Sequence, residues 1–100
     1  MEKQVRESLQ VTLEDWSWMQ KLDGDDGAAW AEKFEQDFYT FIDTFEKWFV
    51  NLETKPVQLD EAESLKLVVD IQELLPGPLQ LNFLTELERI VDGETSEWFD

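Results

Sequence analysis

The stretch Lys33–Leu52, KFEQDFYTFIDTFEKWFVNL, sets five Phe, one Tyr and one Trp among acids, and the spacing of those rings decides the fold. Starting two residues earlier, Ala31, Phe34, Phe38, Phe41, Phe45, Trp48 and Leu52 recur at alternating steps of 3 and 4. Those are the a and d positions of a heptad, with Ile42 and Phe49 widening the stripe at e. Leaving such a stripe in water would forfeit about 1.5–3 kcal/mol for each large side chain, so it must be covered. The rings therefore read as the core face of a helix over about 28–53, not as an open aromatic surface.

The residues this seam leaves outside form a second line. Tyr39, Asp43, Glu46 and Val50 follow one another at steps of 4, 3 and 4, and two apolar residues stand among acids on what is otherwise a solvent face. They are candidate partner-contacting residues.

Working outward, the segment before the aromatic helix is also periodic. Val5, Leu9, Leu13 and Trp16 share one stripe of a helix over about 3–22, while Val11, Trp18 and Leu22 fall on its opposite side. A helix with two apolar faces is sandwiched in its own domain or offers one face to a partner, so Val11, Trp18 and Leu22 join the candidates.

Between the two helices lies DGDDG, Asp23–Gly27, which invites comparison with a calcium loop. Placing Gly27 at the invariant glycine puts Leu22, Gly24 and Lys33 where ligands belong, so the match fails. The expected role is a turn: Gly24 ends the first helix in a left-handed conformation and Asp25 or Asp26 caps the second.

Pro56 breaks the chain after the aromatic helix, and Asp60 with Glu63 resembles a capping box for a third helix over about 60–75. Leu67, Val68, Ile71, Leu74 and Leu75 make its main face, with Ala62, Leu65 and Val69 on another side. Pro76-Gly77-Pro78 forms a corner. A fourth helix over about 79–92 presents Phe83, Leu84, Leu87, Ile90 and Val91, and Gly93 closes it. The tail 94–100 ends in Trp98 and Phe99, which either fold back or serve as a short partner motif. The expected fold is all-α, a compact antiparallel four-helix bundle forming one acidic domain over 1–100.

Charge narrows function. The 100 residues carry 24 acids and 8 bases, a net charge of -16. Residues 1–27, 28–53, 54–75 and 76–100 contribute -4, -4, -3 and -5, so acidity coats every segment. Such a coat repels nucleic acid and anionic lipid and attracts basic proteins. Direct nucleic-acid binding is not expected. Nor is membrane insertion, because no stretch approaches the roughly 20 apolar residues that span a bilayer. The N-terminus lacks the apolar run of a signal peptide, which makes the cytoplasm the default location.

The absence of His and Cys removes the usual general base, thiolate nucleophiles and the commonest metal ligands. No cofactor and no catalytic or metal-binding residue is assigned. One carboxylate pair remains: Glu32 and Glu35 form E-x-x-E, which is similar to the first metal-binding half of the all-helical nucleoside triphosphate pyrophosphohydrolases. That resemblance implies a second pair, E-x-x-D, on the next helix. Here the nearest equivalents are Asp43 with Glu46 on the same helix and Asp60 with Glu63 at a cap.

The expected function is a non-enzymatic, acidic protein-binding module of the adaptor, inhibitor or immunity type that recognises a basic protein surface. The alternatives are a nucleic-acid mimic that blocks a DNA-binding protein, a homodimer joined through the second face of the first helix, and a Mg²⁺-dependent nucleotide hydrolase.

Overall fold

The structure, a computed structural model, describes residues 1–22 and 24–93, without the side chains of 24–26. It is all-α, with five helices among the described residues: α1 (Glu2–Lys21), α2 (Gly24–Val50), α3 (Leu59–Glu63), α4 (Lys66–Leu74) and α5 (Gly77–Val91). The chain divides into two compact units, Met1–Asn51 and Leu52–Asp100.

The first unit is an antiparallel helical hairpin. Four pairs fix its register: Thr12 with Asp37, Asp15 with Lys33, Trp16 with Phe34, and Trp18 with Trp30. Phe38, Phe41, Ile42, Phe45 and Phe49 of the heptad seam are buried, as the spacing requires. They stack along α2, with ring centroids 5.9 Å apart for Phe34 and Phe38 and 6.3 Å for Phe45 and Phe49. Val5 and Leu9 are buried on α1, together with Thr12 and Asp15.

The connection between α1 and α2 is tighter than expected. Leu22, at φ -109° and ψ 148°, ends α1 in an extended conformation, and α2 already begins at Gly24. Gly24 is already helical, so it is not a left-handed cap, and Asp25 and Asp26 lie within α2. Gly27 lies close under the turn: a Cβ there would sit 3.0 Å from the Leu22 carbonyl oxygen, a tight contact. At its other end α2 stops at Val50, not near residue 53, because the Asn51 side chain donates to the Lys47 carbonyl at 2.7 Å and closes the last turn.

In the second unit the expected third helix is two helices. The Ser64 hydroxyl donates to the Glu61 carbonyl at 2.7 Å and Leu65 N–H to Ala62 at 3.1 Å, a tight turn that ends α3. Leu65 is extended and starts α4. The capping box does not form: Gln58 is the N-cap, and Asp60 instead accepts from the Glu61 N–H at 3.0 Å.

Among the described residues of this unit, Ala62, Leu67, Val68, Ile71, Leu75, Leu79, Phe83, Leu87 and Ile90 are the buried apolar ones. Leu74, expected on the buried face, is exposed on the last turn of α4. Val69 is exposed as well. At the Pro76–Pro78 corner, Gln80 Nε2 donates to the Gln72 and Leu75 carbonyls at 2.9 and 3.1 Å, satisfying groups that the end of α4 leaves open. α5 starts two residues earlier than expected, with Pro78 in its first turn, where a missing N–H is harmless. It ends as expected at Gly93, whose φ of 79° suits a glycine. Trp98 and Phe99 lie outside the described residues.

Candidate functional site

The seven candidate residues fall on two different flanks of the α1–α2 hairpin. On α2, Trp30, Lys33, Phe34 and Asp37 face α1. At about 100° per residue, Tyr39, Asp43, Glu46 and Val50 lie roughly half a turn away, on the back of the helix. Tyr39 is 57% exposed and Val50 49% exposed. Asp43 pairs with Lys47 at 3.2 Å, with both side chains about two-thirds in solvent. Such a surface pair contributes about 0–1 kcal/mol and exchanges partners readily. Glu46 is half-buried. Glu32 and Glu35 are exposed and share this back face, which extends the acidic row toward the start of α2.

The α1 candidates are not opposite the core as the sequence implied. The buried positions of α1 are Val5, Leu9, Thr12 and Asp15, with Trp16 and Met19 half-buried. This seam is turned by about 50° from a stripe that included Leu13, which is itself only half-buried. The turn brings Val11, Trp18 and Leu22 beside the helix–helix interface. Trp18 and Val11 are exposed and Leu22 is half-buried. The Trp18 indole stacks on Trp30 with centroids 5.6 Å apart and planes inclined by 17°. Lys21 Nζ lies over the Trp18 ring, 5.4 Å from its centroid, and Lys33 Nζ is 5.7 Å from the Trp30 centroid.

Beneath this pair is a charged cluster that the sequence did not disclose. Asp15 is only 2% exposed. Its Oδ1 accepts from Lys33 Nζ at 3.1 Å, and the same ammonium donates to Asp37 Oδ2 at 2.7 Å. Asp15 Oδ2 is buried without a hydrogen-bond partner. Burial pushes the Asp15 carboxyl above the usual carboxylate range, and a hydrogen bond with Asp37 raises it further, against the opposing pull of Lys33. Asp37 is held low by the hydrogen bond from Asp15 and by Lys33. When the pair takes up a proton, Asp15 takes it first, because its carboxyl is raised and that of Asp37 is lowered. Hydrogen bonds to Asp37 and Asp15 raise the Lys33 ammonium above its ordinary range, so it stays charged. Beside the cluster, the Thr12 hydroxyl shares its proton between the Ser8 carbonyl at 2.9 Å and the Asp37 carbonyl at 3.2 Å.

Among the described residues no group of three or more Asp or Glu side chains lies together to hold a metal ion. Nor, among them, is any helix long and apolar enough to cross a membrane. Comparisons with protein-family models, with curated proteins and with solved structures find no match to the chain.

Proposed function

We propose that the protein is a non-enzymatic, acidic protein-binding module of the adaptor, inhibitor or immunity type, and that its partner presents a basic surface. The observation that carries this is the back of α2, where Tyr39 and Val50 stand in solvent along a row that includes Glu32, Glu35, Asp43 and Glu46. Even if each of the 8 bases neutralised one acid, 16 carboxylates would remain to attract a cationic surface. Long-range attraction of this kind speeds encounter, while apolar anchors at the contact supply most of the affinity. Tyr39 and Val50 are 11 residues apart, or about 16 Å along the helix, which suits two anchors of one interface.

The spacing of the row favours a protein surface over imitation of nucleic acid. From Glu32 to Glu46 it sets four carboxylates along about 21 Å, in two close pairs with a gap between them, whereas one strand of duplex DNA carries an evenly spaced charge every ~3.4 Å of axis.

The test is retention of partners from a lysate on the immobilised protein, followed by elution with increasing salt. The wild-type protein is expected to retain a basic protein at low salt. A Tyr39→Ala/Val50→Ala variant with an unchanged helical circular-dichroism spectrum is expected to lose it. Equal retention by both proteins, or no retention at low salt, refutes the proposal.

A further inference from the structure

We propose that the stacked indoles of Trp18 and Trp30 form a platform for an arginine side chain of the basic partner, and that Lys21 occupies this position in the free protein. This rests on the acidic-module reading and adds to it the chemistry of one anchoring group.

The geometry supplies three elements. First, the receiving ring is accessible and fixed at once: Trp18 is 46% exposed, yet its plane lies nearly parallel to half-buried Trp30. A ring held by its neighbour loses little freedom when a ligand lands on it. Second, the protein already places a cation there, since the Lys21 ammonium lies 5.4 Å from the Trp18 centroid, within the range over which the ring quadrupole attracts positive charge. Lys33 does the same at Trp30, but Asp15 and Asp37 hold it in place, whereas Lys21 is exposed on the last turn of α1. The Lys21 position is therefore the one open to exchange. Third, Glu7, Val11, Glu14 and Trp18 follow at steps of 4, 3 and 4 along the exposed side of α1, so acids and an apolar contact lead up to the ring.

Arginine fits this position better than lysine. Its guanidinium is planar, stacks flat on an indole and is more weakly hydrated than an ammonium, so it displaces Lys21 with less desolvation.

The test uses the full chain and a synthetic helical peptide of about 14 residues rich in Arg and Leu, with a Lys-for-Arg peptide beside it. Titration calorimetry would be run at about 150 mM salt, where the screening length is about 8 Å. Lys21→Gln uncovers the ring, while Lys3→Gln makes the same charge change elsewhere on α1. Lys21→Gln is expected to tighten the Arg peptide by about 3- to 10-fold, with Lys3→Gln changing it by less than about 2-fold. Trp18→Leu, checked for helicity, is expected to weaken it by about 10-fold, and the Trp18 and Trp30 indole N–H signals should shift on binding. The Lys peptide is expected to bind more weakly than the Arg peptide.

Equal tightening by Lys21→Gln and Lys3→Gln overturns the platform, as does full affinity in Trp18→Leu or equal affinity for the two peptides. In those cases binding by the wild type leaves the acidic-module reading standing. Failure of every form of the protein to bind either peptide at low salt overturns both.

Discussion

Replacing Asp15 by asparagine tests whether a shared proton lies under the Trp18–Trp30 pair. The substitution keeps the shape of the side chain and an acceptor for Lys33 Nζ, which lies 3.1 Å from Asp15 Oδ1. The new amide supplies permanently the donor that Asp15 offers to Asp37 only when protonated. A buried acceptor without a partner costs about 1–3 kcal/mol, and a satisfied hydrogen bond contributes about 1 kcal/mol net. Whenever Asp15 is ionised, Oδ2 is that unpartnered acceptor.

We therefore predict that Asp15→Asn stabilises the protein by about 1 kcal/mol at pH 7, after allowance for the weaker attraction between a neutral amide and half-exposed Lys33. For a chain of this size that corresponds to a rise of about 4–8 °C in Tm. The pH dependence has a definite sign. The Asp15 carboxyl is raised in the folded state, so its contribution to stability is fully present below its unfolded pKa and is lost as pH rises through the folded value. Asp37 is lowered, so its contribution is present above its unfolded pKa and is lost only as pH falls through its depressed folded value.

On acidification from neutral pH the wild type accordingly gains a proton on Asp15 and catches up with the variant before Asp37 titrates. Thermal melts of both proteins by circular dichroism, from pH 7 downward, should show the advantage of Asp15→Asn shrinking toward zero. If the variant is less stable by the same amount at every pH, Asp15 is an ordinary ionised partner of Lys33 and the shared proton does not exist. Asp15→Ala provides the contrast: it removes the hydrogen bond from Lys33 and leaves a void, and should cost about 1–3 kcal/mol.

Three further substitutions probe the scaffold. Phe45→Ala, at a fully buried seam position, should cost about 3–5 kcal/mol in chemical denaturation, and a loss below about 1 kcal/mol would contradict its place in the core. Gln80→Ala frees the Gln72 and Leu75 carbonyls at the α4–α5 corner and should cost about 1–2 kcal/mol, with hydrogen exchange rising first at the end of α4. Gly27→Ala should forgo the gain of about 0.5–1 kcal/mol that alanine ordinarily brings to a helix, because its Cβ meets the Leu22 carbonyl oxygen at 3.0 Å; the full gain would show that the turn relaxes freely.

The ease with which the sequence discloses each element follows from what its side chains are. The α2 seam is legible because bulky rings at heptad steps have no other low-energy use in water, and the structure buries Phe38, Phe41, Phe45 and Phe49 accordingly. Gly93 is legible because few residues other than glycine adopt its backbone conformation. The break between α3 and α4 is not, since Ser64 and Leu65 carry no strong breaker signal and the turn depends on a hydroxyl-to-carbonyl bond. Asp15 and Thr12 are hidden for a related reason: a polar residue in a helix reads as solvated, and only the partner helix reveals the Lys33 and Asp37 groups that make burial tolerable.

One signal was nonetheless present. The heptad of α2 calls for a matching one in α1, and Val5, Leu9, Thr12, Trp16 and Met19 follow the steps 4, 3, 4 and 3, whereas a stripe through Leu13 does not. Accepting a threonine in the seam turns α1 enough to carry Trp18 from the far side of the helix to the edge of the interface. This rotation makes Trp18 a braced ring, stacked on Trp30 with one lysine over each indole. A braced aromatic beside an ion cluster is better prepared to bind a cation than an isolated exposed indole, because its orientation is fixed before the ligand arrives.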